Sequence, residues 1–483
     1  MSSSATPPAS DGGAGIVSDG GRENRTAAAL PRTVGFIGAS GVMIGVCIGS
    51  GIFNTPPQIA GQISGLWLTL LCWGVGGVLA LFGAMTYAEM GAMFPQSGGV
   101  YVFLREAYGR AAAFVFGWSY MLISKPLAAA GIATVFSSHL LALFGGVPKD
   151  ASGAPMTWVP IAVTCVLLIV STWLNARGTA LGARVATGLT ALKIAGLLGI
   201  VVAACVVSPG AVEFTEPAIE KTTVVGALVM IFAAVMWTYD GWADVGAIAG
   251  DVKEPSKTLP RVFILGTLGI MAIYLSVNAA YFALLPEGAI RSGSDSNPMA
   301  EMVGASIAGS AGAAVLLGLV ALSTLGSTHG SILTGARVTF QQARDGLMFR
   351  FLGSLHPTRK TPAAALWVQC ALSCASVMVY QTFSTLAGGF VFSMWLFYTL
   401  AGTAIFVLRF KRPDAPRPFR CWGYPVVPGL FVLAGASMTV LTMTEKTGEK
   451  LVWLAILLAG FPVYAVWSRL AKDDSPPDHG ANR

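Results

Sequence analysis

The residues best placed to do chemistry near the start of the chain are Gly49-Ser50-Gly51, inside Val46-Cys47-Ile48-Gly49-Ser50-Gly51-Ile52-Phe53. They lie within an apolar run from Val34 to Ala60, longer than the ~20 helical residues that cross a bilayer. Two glycines two apart weaken a helix. Pro56 and Pro57 follow, and Pro56 removes a donor that a continuous helix would need near Ile52. The spacing predicts a helix that breaks at Gly49-Ser50-Gly51 and resumes at Ile52. Irregular backbone at membrane depth is tolerated only where it is buried in protein or lines a wet cavity. The free N–H groups of the resumed half-helix, with the positive end of its dipole, would receive a carboxylate. A second reading remains open here: small residues also mark close helix–helix contacts in membranes.

A matching signal stands in the second half, where Trp237-Thr238-Tyr239-Asp240-Gly241-Trp242 interrupts an apolar run from about Val224 to Ala249. Two lysines, Lys125 and Lys193, fall inside other apolar runs. Lys125 could pair with a carboxylate, bond backbone carbonyls or snorkel into a vestibule. Six of the seven cysteines lie in apolar runs without CxxC spacing, and read as small core residues. With four histidines, the chain shows no metal-ligand spacing, no cofactor motif and no nucleophile–base set. That weighs against a membrane-bound enzyme.

These residues need apolar helices to position them. The 483 residues are 54% hydrophobic and 11% charged, with mean hydropathy +0.68, a balance outside that of soluble domains. The fold class is therefore an all-α polytopic membrane protein. Residues 1–30 read as a disordered tail without a signal-peptide core. Twelve transmembrane helices follow, near 34–60 (broken), 66–87, 111–144, 158–174, 183–207, 224–249 (broken), 262–285, 313–340, 363–379, 383–408, 426–443 and 451–467. Between the second and third spans, Ala88–Tyr101 reads as a helix end and a turn, leading to a surface helix through Tyr108. Lys253, Pro255 and Pro260 read as a loop, and a short helix is expected near 298–307. Of the 30 Lys and Arg, only Lys149, Lys221, Arg291, Lys446 and Lys450 fall on the side opposite the termini. By the positive-inside rule both termini are cytoplasmic, in a cell (plasma or inner) membrane. The basic excess, net +7, is then ordinary topology and not a nucleic-acid footprint.

The two broken helices open successive blocks of five spans. An odd number per block inserts the second upside down. Interrupted helices at corresponding places point to an inverted-repeat transporter with a midplane site. The expected segments are a first repeat at 31–208, a second at 222–410, two extra helices within 424–470, and a short cytoplasmic tail at 471–483.

Ile48-Gly49-Ser50-Gly51-Ile52-Phe53 resembles the first-span signature of the amino acid–polyamine–organocation (APC) superfamily. Tyr239-Asp240-Gly241-Trp242, Gly250-Asp251-Val252-Lys253-Glu254-Pro255 and Leu259-Pro260 resemble the L-type amino acid transporter branch, with bacterial serine/threonine exchangers as the comparison. So do Leu322-Ser323-Thr324-Leu325-Gly326, Arg337, Ala343-Arg344-Asp345-Gly346, and Glu89 to Tyr101 with Pro95 and Gly98-Gly99. The likeness covers about 33–410; the last two spans match in character only. It implies a LeuT-like fold of five-plus-five inverted repeats with broken helices 1 and 6 and two additional helices. It implies that Gly49, Ser50 and Gly51 hold a substrate carboxylate. The carbonyls of Cys47, Trp237, Thr238 and Asp240 would hold the ammonium, with the Trp237 ring covering the substrate. It also implies that Lys193 stands in for a sodium ion, reaching first-span carbonyls and an eighth-span hydroxyl, with Ser323 the first candidate and Thr324 the second.

Three departures stand out. Asp244 occupies a position where the branch often has asparagine, and could be a proton site, a bias toward cationic substrates or a paired structural acid. Asp251 occupies one where it often has glutamate. The loop 145–156 has no cysteine, so no disulfide-linked partner subunit is expected. The function implied is sodium-independent exchange of neutral L-amino acids. A proton-coupled symporter and a cationic amino acid or polyamine antiporter remain alternatives. A receptor is disfavoured by the lack of a soluble domain.

Overall fold

A computed structural model describes residues 32–207, 218–219, 224–294, 298–443 and 447–473. The expected tail 1–30 and most of the C-terminal tail lie outside these residues. Seventeen α-helices carry the described chain: α1 (Phe36–Cys47), α2 (Gly51–Ala60), α3 (Leu66–Met93), α4 (Val100–Tyr108), α5 (Arg110–Ser119), α6 (Lys125–Leu143), α7 (Trp158–Ala176), α8 (Thr179–Val207), α9 (Val224–Tyr239), α10 (Asp244–Ala247), α11 (Pro255–Leu284), α12 (Glu287–Arg291), α13 (Met299–Arg344), α14 (Ala363–Tyr380), α15 (Phe383–Lys411), α16 (Val426–Met443) and α17 (Thr447–Asp473). Among the described residues, ten helical runs are long and apolar enough to cross a membrane. Gly226–Tyr239 and Val426–Leu441 are shorter apolar helices. Large apolar side chains stand bare on the outer faces, among them Trp67, Val166, Val202, Val440 and Leu470. Such a girdle needs lipid rather than water.

The breaks fall where glycine and aspartate interrupt the apolar runs. α1 stops at Cys47 and α2 begins at Gly51; α9 stops at Tyr239 and α10 begins at Asp244. α2 packs on α9, α3 on α11, α6 on α13 and α7 on α14. The end of α2 and the start of α9 are joined by a two-stranded antiparallel ladder, β1 (Ile63–Ser64) with β2 (Ala218–Ile219), a departure from the all-helical expectation. On the opposite side, Val34 donates its N–H to Asp251 O (2.9 Å) and accepts from Lys253 N–H (2.8 Å). This pins the entry of α1 to the turn after α10.

Three local expectations are corrected. The helix through Tyr108 is not on the surface, because Val100 to Leu104 are buried beneath α15. Pro255 and Pro260 belong to α11, not a loop. Pro255 takes the first turn, where a missing N–H costs little, and Pro260 removes a single helical bond. The helix expected near 298–307 is present, but it is the first part of α13, joined to the rest through a kink at Ala308 (φ −148°, ψ 33°) and Gly309 (φ 60°, ψ −145°).

Between α5 and α6, Tyr120–Ser124 forms one π-helical turn. Such bulges often sit at functional sites. This one immediately precedes Lys125.

Candidate functional site

At the first break Ile48 adopts φ −77°, ψ 83°, the geometry of an inverse γ-turn. The turn is closed by Gly49 N–H on Cys47 O (2.8 Å). Past it, Phe53 N–H turns back to Ser50 O (3.2 Å), and the N–H groups of Ser50, Gly51 and Ile52 precede the first helical acceptors of α2. At the second break Gly241 has φ +108°, a conformation that L side chains rarely adopt.

The two breaks interlock. A Cβ on Gly241 would lie 2.9 Å from Cys47 N, and one on Gly51 would lie 2.8 Å from Thr238 Cα. Gly51 is thus a close helix contact, and the same glycine opens the half-helix end.

Around the breaks lies a cavity of about 30 Å³, lined by residues that include Cys47, Gly49, Ser50, Gly51, Trp237 and Asp240. Five of its other lining residues are Lys125 and Ile132 on α6, Ser331 on α13, Phe390 on α15 and Val46 on α1. That is room for about two waters, so the cavity must open to admit a larger guest. The Oγ atoms of Ser50 and Ser331, both buried, have no hydrogen-bond partner among the described residues. The Trp237 ring meets Phe383 and Phe390 edge-on, with centroids 5.5 and 5.4 Å away.

Two expected site residues are otherwise engaged. The Thr238 carbonyl, the atom expected to face the ammonium, accepts from the Tyr274 hydroxyl (3.0 Å), and its hydroxyl bonds Thr55 Oγ1 (2.8 Å) and Ala234 O (2.9 Å). Cys47 O accepts from Gly49 N–H and from the Tyr274 hydroxyl (2.7 Å).

The charges sort into two groups. Lys125 Nζ donates to Asp244 Oδ2 (2.5 Å), and Thr334 Oγ1 donates to the same oxygen (3.0 Å). The two residues without an agreed role in the sequence thus pair with each other. Asp240 Oδ1 accepts from the Tyr398 hydroxyl (2.7 Å).

Behind the cavity, Lys193 Nζ donates to Gly45 O (2.9 Å), Ile48 O (2.6 Å), Ser323 O (2.8 Å) and Ser327 Oγ (2.9 Å). It joins α8, the end of α1 and α13. The expectation of a Ser323 hydroxyl is corrected. Ser323 meets Lys193 through its carbonyl and sends its hydroxyl to Ile48 O (3.2 Å). The hydroxyl on Lys193 belongs to Ser327, one turn on. Thr324 Oγ1 bonds back to Val320 O and Ala321 O.

Tyr274, Ser327, Ser331 and Phe390 were not singled out from the sequence. They lie on apolar helical stretches with no break beside them. A signal did exist for two of them: Ser323, Ser327 and Ser331 recur every four residues along α13, a hydroxyl stripe on one helix face.

Comparison with known proteins gives the family. The model of the amino acid permease family matches residues 34–462. The chain belongs to the amino acid permease family. The permease is 31% identical to human large neutral amino acids transporter small subunit 2, over 96% of this chain and 83% of that relative. It is 29% identical to mouse b(0,+)-type amino acid transporter 1, covering 90% and 88% of the two chains. It is also 29% identical to mouse Asc-type amino acid transporter 1, covering 90% and 81%. The family and these relatives are transporters, which sets the permease apart from enzymes. Family and apolar helices together make it a multi-pass membrane protein.

Proposed function

We propose that the permease moves amino acids across the membrane by alternating access, as sodium-independent exchange of neutral L-amino acids. The two half-helix ends facing one closed cavity support an amphoteric guest. The first turn of α2 attracts a carboxylate and the carbonyl ends of α1 and α9 attract an ammonium. In this reading the N–H groups of Ser50 and Gly51 lead in holding the carboxylate, with Gly49 joining when its turn opens. The carbonyls of Trp237, Thr238 and Asp240 lead in holding the ammonium, joined by Cys47, and the Trp237 ring covers the guest.

The observation that carries sodium independence is the Lys193 ammonium, fixed by four oxygens between α1 and α13. A tethered charge occupies the junction that an imported cation would otherwise brace. The packing of α2, α3, α6 and α7 on α9, α11, α13 and α14 is what two inverted five-span repeats would give near their two-fold axis. Counting the two shorter apolar helices brings the spans to twelve, with cytoplasmic termini in the plasma or inner membrane.

The deciding experiment uses purified protein in proteoliposomes. Labelled amino acid uptake should require unlabelled amino acid inside and should be the same in sodium and choline media. A strict sodium requirement overturns the coupling reading, and uptake into empty vesicles overturns exchange.

A proton-coupled reading has one observation in its favour. Lys125 is already paired with Asp244, which leaves the Asp240 carboxylate in the cavity with a tyrosine hydroxyl as its partner. Uptake that rises with an inward proton gradient, without internal substrate, selects that reading.

One relative is named a small subunit. For this chain we expect no disulfide link through the 145–156 loop. Transport by the chain purified alone supports this, and a reducible heavier band on non-reducing gels of native membranes refutes it.

A further inference from the structure

Tyr274 is buried at the centre of α11, its ring held edge-on by Trp73 and Tyr239 at centroid distances of 5.6 and 5.1 Å. Its hydroxyl donates to Cys47 O (2.7 Å) and Thr238 O (3.0 Å). These carbonyls close the last turns of α1 and α9, the negative ends of two half-helix dipoles. A phenol has one proton, and Cys47 O takes a second hydrogen from Gly49 N–H (2.8 Å), so three oxygens at two half-helix ends share two hydrogens. That cluster favours a further donor carrying positive charge.

We propose that Tyr274 is a positioning residue for the substrate ammonium. Its hydroxyl ties the carbonyl ends of the two broken helices together, and so sets the spacing at which both breaks meet a cationic head. The inference rests on the reading of the cavity as an amino acid site. The carboxylate end of that site is built by α2, which the hydroxyl does not touch. Loss of the hydroxyl therefore loosens one arm of recognition and leaves the other in place.

The test is Tyr274→Phe in proteoliposomes, which keeps the aromatic packing. Uptake of a neutral amino acid is inhibited either by the same amino acid unlabelled or by its desamino analogue, the carboxylic acid with the same side chain. The unmodified protein should prefer the amino acid strongly. In Tyr274→Phe the preference should shrink about 10-fold, the scale of one lost hydrogen bond in a binding constant, with inhibition by the desamino acid unchanged. A purely structural role would weaken both inhibitors together and overturn the proposal, as would an unchanged preference. If Tyr274→Phe does not fold, Tyr274→His replaces it. Its ring cannot span both carbonyls and should also lower the preference; a wild-type ratio there overturns the proposal equally. If the unmodified protein fails to distinguish the two inhibitors, the amino acid reading of the cavity itself fails.

Discussion

At the scale of single residues, the outcome turns on which polar atoms already have partners. Lys193 is surrounded by oxygen and bridges three helices, so Lys193→Ala should remove most transport activity while the protein still reaches the membrane. The check is transport per molecule of detergent-purified, monodisperse protein. Ser327→Ala removes one of its four contacts, and a hydrogen bond to a charged group is worth ~1.5–3 kcal/mol. It should reduce transport more than Ser323→Ala, because alanine retains the carbonyl by which Ser323 meets the ammonium. Equal effects of the two would contradict the corrected assignment. Ser50→Ala and Gly51→Ala should separate binding from packing. Ser50 Oγ has no partner among the described residues, so its loss should weaken substrate affinity and leave the melting temperature unchanged. A Cβ at Gly51 presses on Thr238, and overpacking of this kind costs ~1–3 kcal/mol. Gly51→Ala should therefore melt earlier than the unmodified protein in a thermal-shift assay.

At the scale of elements, the Lys125–Asp244 pair joins α6 to α10, the short helix after the second break. Both side chains are almost wholly buried, at 4% and 6% exposure. Removing one partner of such a pair leaves an uncompensated charge and costs ~3–5 kcal/mol. Lys125→Met and Asp244→Asn should each destabilise strongly. The double variant should be more stable than the sum of the two effects predicts, which a thermal double-mutant cycle measures. Strict additivity would show that the pair carries no coupling. A second buried acid, Glu89 on α3, accepts from Arg409 Nε (3.0 Å) and Nη2 (2.6 Å) and from Cys421 N–H (2.7 Å). It thereby fastens the 412–425 loop to α3. Burial first, and Glu89 second, push the Cys421 thiol up to about 11. Cys421 should resist maleimide at pH 7 until the protein is denatured, because the reactive species is the thiolate. Labelling of the native protein would show that this loop opens.

At the scale of the whole molecule, sequence and tertiary structure decided different things. The membrane class and the breaks at Gly49-Ser50-Gly51 and Tyr239-Asp240-Gly241 were legible in the chain, whereas the helices of the seventh and eighth spans begin well before the expected 262 and 313, at Pro255 and Met299. The legible features have local causes: apolar length, glycine and proline act on the residues beside them. The resemblance added the family and the neighbourhood of Lys193. Only the tertiary structure brought Lys125 to Asp244, 119 residues away in sequence. It alone replaced the Ser323 hydroxyl with that of Ser327 and placed the Tyr274 hydroxyl between the two helix ends. It also buried the Val100–Tyr108 helix that local pattern had set on the surface. A side chain on an unbroken apolar helix carries no local mark of the face it presents. Its partner is fixed by how two distant helices are rotated against each other, which no local pattern records.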